Sequence, residues 1–206
     1  MNLPNKITIT RIFLIPLFMI FIIPLPTFLI DSVFMNSVIP NLKDFNNLIN
    51  NYGHYFGAII FIIAATTDSI DGYLARKTNQ ITKLGIFLDP IADKLMITAA
   101  LIALCQRNQI SGWAAMIIIG REFIVTGLRL VAAGEGIIIS AGKWGKIKMI
   151  IQVIAVSLAL LDNFPFKYFS TIPVDKILIF IAVIVTIYSG YDYIKRNFKL
   201  IHNTVD

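Results

Sequence analysis

Charge, cysteine and histidine are all scarce in this chain of 206 residues. Charged residues make up 15% against 57% hydrophobic, with mean hydropathy +0.77, which excludes a water-soluble domain of ordinary composition. The single cysteine, Cys105, stands in an apolar run, so neither a disulfide framework nor a thiolate metal cluster is available. His54 and His202 are isolated, which argues against a histidine-based metal site of the soluble kind. No internal repeat, low-complexity tract or shift in composition marks a second domain, and residues 1–206 read as one domain. The formal net charge is +6 and the pI about 9.5. In a membrane protein such a balance points to basic cytoplasmic loops and anionic headgroups or substrates, not to nucleic acid.

What is present is a succession of apolar runs. The first, roughly Ile7–Ile30, follows Lys6 and contains Arg11. No small-residue cleavage site follows it and it is long enough to cross a bilayer, so it reads as a first transmembrane helix. Pro16 should bend it, or Pro24 and Pro26 should break it. Residues 31–53, rich in asparagine, read as an extramembrane loop. Further spans are expected at about Phe56–Arg76, Gly85–Leu104 and Trp113–Val131, then one ending near Leu161, and a sixth at about Val174–Tyr193. The connection Ala132–Gly145 contains four glycines, and Lys195, Arg196 and Lys199 form a basic tail. Lys77, Lys83, Lys143, Lys146, Lys148 and that tail fall on the side of both termini, which the positive-inside bias makes cytoplasmic. The expectation is an all-α integral membrane protein of six transmembrane helices in the cell membrane, both termini in the cytoplasm.

Within this apolar chain the stretch Asp68–Asp93 carries four carboxylates: Asp68, Asp71, Asp89 and Asp93. Acids near lipid are costly unless their charge is cancelled. Asp68 precedes Arg76 by eight residues and Asp93 follows Gly85 by eight. At about 1.5 Å per residue, each lies roughly 12 Å along its helix from the cytoplasmic end. In an antiparallel hairpin Asp68 then faces Asp93, and Asp71 faces Asp89 nearer the surface. The spacings of three and four put each pair on one helical face, so a polar cavity facing the cytoplasm is expected. Hard oxygen donors in that number suit two Mg²⁺ or Mn²⁺ ions. Gly72 lets a phosphate approach the backbone, Arg76 offers a planar fork for its oxygens, and Gly85 allows tight entry into the next helix. Solvated or capping aspartates would explain one pair, and a cation- or proton-coupled transporter would explain both. A transporter, however, has no evident need for the adjoining Gly72-x-x-Ala75-Arg76.

The pattern Asp68-x2-Asp71-Gly72-x2-Ala75-Arg76-x8-Gly85-x3-Asp89-x3-Asp93 resembles the signature of the CDP-alcohol phosphotransferase family at all eight fixed positions. The resemblance extends from Asn5 to about Gln152. It implies six transmembrane helices around a two-metal site open to the cytoplasm, in a homodimer. By that resemblance Asp68, Asp71 and Asp89 bind one metal, and Asp68, Asp89 and Asp93 the other. Asp93 also takes the proton of the acceptor alcohol. The CDP-linked donor falls to Gly72, Arg76, Thr82 and Gly85, and to Asn5 and Thr8 in the segment Asn5-x2-Thr8-x2-Arg11, where Thr8 as a helix cap is the plain alternative.

The acceptor must be read elsewhere. Arg121 and Arg129 are eight apart in the fourth span, hence on one face, and Arg within a span usually has an anionic partner. With Lys143, Lys146 and Lys148 they would suit an acceptor that carries its own phosphate, although ordinary positive-inside charge accounts for some of the lysines. The pattern from Arg121 to Gln152 resembles the branch of the family that joins CDP-diacylglycerol to glycerol 3-phosphate, with Met149 where threonine is expected. Inositol phosphate, another phosphorylated polyol or phosphatidylglycerol are the alternative acceptors.

Overall fold

The computed structural model describes residues 3–24, 42–78, 83–134, 137, 139 and 142–203. Within these, residues 3–8, 42–43, 68–78, 83–90 and 198–203 are described at the level of the backbone. The described residues form six α-helices: α1 Leu3–Ile22, α2 Leu42–Thr78, α3 Lys83–Gln106, α4 Gly112–Gly134, α5 Lys143–Leu160 and α6 Val174–Asn203. A short 3₁₀ turn, Phe166–Tyr168, lies between α5 and α6. No strand occurs among the described residues, so the all-α expectation holds.

The helices fall into two compact units, one holding α1, α2 and α3 and the other α4, α5 and α6. In the first, α1 packs against both α2 and α3. Of the two breaks expected in α1, the helix passes through Pro16 and ends at Ile22. The Ile23 amide still donates to Met19, but Pro24 has no amide to donate and its ring disfavours a helical residue before it.

The second helix corrects the expected loop over residues 42–53, because α2 begins at Leu42 and adds nearly four helical turns before Phe56; the rest of that loop, 31–41, lies outside the described residues. Asp44 in its first turn complements the positive end of the helix dipole. Ile49, Gly53, His54, Gly57, Ala58, Phe61 and Ala64 are buried at helical spacing, while the asparagines at 47, 50 and 51 face outward. A Cβ at Gly53 would overlap the carbonyl oxygen of Phe21, and one at Gly57 would stand 2.9 Å from Ile22 Cδ1. The glycines therefore let two backbones approach, and the polar run folds as helix because one of its faces is needed by α1. On α3 the buried Ala92, Ala99, Ala100 and Ala103 allow a similar approach.

In the second unit α4 packs on α6; Ala115, Ile118, Val125 and Ala132 are buried on α4, and Ile179, Ala182, Thr186 and Ser189 on α6. Asn163, in the left-handed region at φ 57°, donates from Nδ2 to Ile172 O (3.1 Å) and accepts the Asp175 amide at Oδ1 (3.3 Å). Its side chain thereby anchors the start of α6.

Large apolar side chains cover the outer faces; Phe13, Trp113, Leu130 and Phe180 are each more than 60% exposed. Such surface needs an apolar solvent. Two segments among the described residues, Asp44–Thr67 and Val174–Asn197, are long and apolar enough to cross a membrane.

Candidate functional site

The carboxylate stretch is split between α2 and α3 as expected, and the two helices are in contact. Asp68 stands ten residues before the end of α2 at Thr78, and Asp93 ten residues after the start of α3 at Lys83. Both thus lie roughly 15 Å from the α2–α3 connection at about 1.5 Å per residue. The helix bounds therefore leave the expected pairing of depths intact.

Asp93 is partly buried. The side chains of Asp68, Asp71 and Asp89 lie outside the described residues, as do those of Asn5, Thr8, Arg76 and the surroundings of Gly72 and Gly85; Thr82 lies outside them altogether. No cluster of three or more metal-ligating side chains occurs among the described residues.

The first helix adds something that reading the residues in isolation missed. Phe18 meets Phe61 with ring centroids 6.5 Å apart, and Phe21 meets Phe56 at 5.8 Å, so α1 runs antiparallel to α2. Seven residues down α1 from Phe18 is Arg11, and seven residues on from Phe61 is Asp68. Three more steps pair Thr8 with Asp71. The register therefore brings the segment Asn5–Arg11 level with the first aspartate pair. Arg11 is only 3% exposed, a cation buried at the depth of a carboxylate.

The basic residues assemble within the second unit. Arg121, Arg129, Ile137, Ile139, Gly142, Gly145, Ser189, Asp192, Tyr193, Arg196 and Asn197 line a cavity of about 290 Å³. Arg121 Nη2 donates to Ser189 Oγ at 2.7 Å, and its Nη1 lies 3.6 Å from Glu122 Oε1. That oxygen also pairs with Lys148, whose side chain is buried. Gly190 makes room for the stem of Arg121, since a Cβ there would stand 3.2 Å from Arg121 Cγ. Arg129 places its guanidinium 5.5 Å from the centroid of the Tyr193 ring. Arg196 Nε donates to Asp192 Oδ1 at 2.8 Å. The Nε groups of Arg121 and Arg129 and the Tyr193 hydroxyl are buried without a hydrogen-bond partner among the described residues. Buried donors in that state call for an acceptor.

Of the five expected acceptor residues, the cavity gathers Arg121 and Arg129. Lys148 stands behind them as the partner of Glu122, whereas Lys143 and Lys146 are exposed and do not line it. Met149 is also exposed and away from the lining, so the departure from threonine leaves the cavity wall untouched. Arg196, expected in a basic tail, belongs instead to α6 and to this cavity. The missed signal was a polar stripe at helical spacing: Ser189, then Asp192 and Tyr193, then Arg196 and Asn197.

Comparison with known proteins gives a consistent picture. The family model for CDP-alcohol phosphatidyltransferase matches residues 1–188. The CDP-diacylglycerol–glycerol-3-phosphate 3-phosphatidyltransferase of Bacillus subtilis (strain 168) is 46% identical over 199 residues, covering 96% of each chain. Proteins of the same name from Haemophilus influenzae and Rickettsia felis are 36% and 32% identical. They cover 94% of this chain in both cases, and 92% and 94% of their own lengths respectively.

Proposed function

We infer the activity from the premise that this chain belongs to the CDP-alcohol phosphatidyltransferase family. It transfers the phosphatidyl group of CDP-diacylglycerol to sn-glycerol 3-phosphate, giving phosphatidylglycerophosphate and CMP, a step of phospholipid synthesis. The relatives carry that activity in their names, and the aspartate signature supplies the donor half of the chemistry.

The observation that carries the acceptor half is the charge of the cavity. Among the described residues, Arg121, Arg129, Arg196 and Lys148 stand against Glu122 and Asp192, a surplus of two positive charges. A phosphate monoester with a second pKa of about 6 carries nearly two negative charges at neutral pH. Serine, choline or ethanolamine, with no phosphate of their own, would leave that surplus unmatched. Arg121 and Arg129 can present planar forks to the phosphate oxygens, and their unpartnered Nε groups are satisfied by the same ligand.

All six helices cross the membrane in this reading, with both termini in the cytoplasm. The α2–α3 and α4–α5 connections lie on that same side, as does the active site. Asp68, Asp71, Asp89 and Asp93 fit a pair of divalent cations by the chemistry of the donor set: four hard oxygen donors on two contacting helices, at matched distances from the connection. Asp68, Asp71 and Asp89 would hold one ion, and Asp68, Asp89 and Asp93 the other, Mg²⁺ or Mn²⁺. When bound, such ions neutralise the diphosphate and hold attacking and leaving oxygens in line. Gly72 and Arg76 receive the donor phosphates, and Asn5 and Thr8 approach the nucleotide from α1.

Asp93 takes the proton from the 1-hydroxyl of glycerol 3-phosphate as that oxygen attacks the β-phosphorus, and CMP leaves. An aspartate, with a reference pKa of about 3.9, is a weak base for a free alcohol. It suffices here because a loose transition state releases the hydroxyl proton late, when the oxygen is already bonding to phosphorus.

The test is CMP release by the purified protein from CDP-diacylglycerol with Mg²⁺, comparing glycerol 3-phosphate, inositol phosphate, serine and phosphatidylglycerol. Release dependent on glycerol 3-phosphate is the expected result. Release with a different acceptor alone, or none above background with any, overturns the assignment.

A further inference from the structure

We propose that Asp192 reads the free secondary hydroxyl of the acceptor, making the cavity selective for a hydroxyl on the carbon next to the phosphate-bearing one. This rests on the acceptor reading above and goes beyond it to the group that distinguishes a polyol phosphate from a plain alkyl phosphate.

Among the described residues two carboxylates adjoin the cavity, and they are used differently. Glu122 is committed, with one oxygen placed between Arg121 and Lys148. Asp192 engages Oδ1 with Arg196 Nε and makes no other hydrogen bond or ion pair among the described residues. Its Oδ2 faces Gly142, where even an added Cβ would stand 4.0 Å away, so Gly142 itself leaves that oxygen uncovered.

A carboxylate in a cavity that collects a phosphate opposes the ligand's charge. The same oxygen accepts a hydrogen bond from a hydroxyl, which a phosphate dianion cannot donate. Asp192 is therefore badly chosen for phosphate and well chosen for the hydroxyl beside it.

The register along α6 supports that division. Ser189 holds Arg121 and Tyr193 lies under Arg129, so the phosphate is expected over this turn. Asp192 is one turn from Ser189, about 5–6 Å between Cβ atoms, which is the scale of a three-carbon phosphate. The side chain is 19% exposed, sheltered enough to be felt and open enough to be reached.

The experiment uses the full chain in lipid nanodiscs with CDP-diacylglycerol and two acceptors: glycerol 3-phosphate, and 3-hydroxypropyl phosphate, which keeps the phosphate and the attacking hydroxyl but lacks the secondary one. The readout is the ratio of kcat/KM for the two. Wild type should favour glycerol 3-phosphate by about tenfold or more, the worth of a hydrogen bond to a charged group. Asp192→Ala should bring the ratio to within about twofold, and Asp192→Asn, which keeps the packing and a weaker acceptor, should fall between. Arg129→Gln, a change at the phosphate that both acceptors carry, should lower both values together and leave the ratio standing, as any merely structural loss would.

A wild-type ratio near one overturns the proposal, and so does an Asp192→Ala ratio equal to that of wild type. Absence of CMP release by wild type with either phosphorylated acceptor would instead count against the proposed function itself.

Discussion

Arg129 is the cation in the basic cavity whose charge meets an aromatic face and, among the described residues, no carboxylate. Its guanidinium stacks over Tyr193, its Nε is buried without a partner, and the nearby acids are engaged elsewhere, Glu122 with Arg121 and Lys148, Asp192 with Arg196. The change Arg129→Gln keeps most of the side chain's length and removes the charge and the fork. A hydrogen bond to a charged group contributes roughly 1.5–3 kcal/mol, and about 1.4 kcal/mol is tenfold. The expected loss in kcat/KM for glycerol 3-phosphate is therefore about 10- to 100-fold. The phosphate is remote from the bond being made, so the loss should divide between KM and kcat as positioning is lost. KM for CDP-diacylglycerol should stay within about twofold, because the donor is assigned to other residues. Arg129→Lys retains the charge without the fork and should lie between. The control is Lys195→Gln on α6, an exposed cation one residue before Arg196 that does not line the cavity and should change kcat/KM less than about twofold because solvent and salt screen it. The assay is CMP release with glycerol 3-phosphate varied at saturating donor. A folded Arg129→Gln enzyme with unaltered glycerol 3-phosphate kinetics would refute the reasoning. Equal losses in Arg129→Gln and Lys195→Gln would refute it too, because they would reduce the cavity to a general basic surface.

Asp93→Asn removes the proposed base while keeping the side chain's shape, so CMP release should fall by at least about 100-fold with CDP-diacylglycerol binding retained. Wild-type turnover in that variant excludes the base role. Glu122→Gln removes the carboxylate charge paired with Lys148, a side chain only 4% exposed. It should cost about 3 kcal/mol, read as a lowered Tm in detergent, and Lys148→Met in the same chain should recover part of the loss. An unchanged Tm for Glu122→Gln alone means that the ion pair does not form. Gly53→Ala puts a methyl group into the Phe21 carbonyl, a backbone atom that cannot turn away, and should destabilise by about 1–3 kcal/mol. Gly57→Ala meets only the side chain of Ile22 and should cost less. If Gly53→Ala melts with wild type, α1 and α2 are not as close as described here.

The helices were legible where apolar run length decides the outcome, and less so where packing does. Pro24 marked the end of α1 because a missing amide is a local property of the chain. The start of α2 was obscured by asparagines, whose low helix propensity and affinity for turns argue for a loop. The stripe Ile49, Gly53, Gly57, Phe61 overrides them through contact with another helix, which no short window contains. Polar composition told which faces of that segment are solvated, not whether it is helical.

The aspartate stretch and the basic cavity differ in legibility for a related reason. The aspartates are carried by one helical hairpin, so their spacings survive in the chain as a contiguous pattern from Asp68 to Asp93. The cavity is gathered from the middle of α4, the α4–α5 connection, the start of α5 and the end of α6, separations over which spacing carries no register. Lysines adjacent in sequence therefore drew attention, yet helix geometry turns Lys143 and Lys146 outward and Lys148 inward. Arg196 reads as part of a tail because it follows the last apolar run closely. Its i−4 partner Asp192 and the Ser189–Tyr193 stripe were the local sign that the helix continues with one polar face. That face argues against a tail of loose positive charge: a tail meant only to set orientation needs cations, whereas this one fixes a carboxylate, a hydroxyl and a phenol at helical spacing around two half-buried arginines. An arrangement of that kind costs hydrophobic surface in an apolar helix, and a ligand with both anionic and hydroxyl groups is what would repay it.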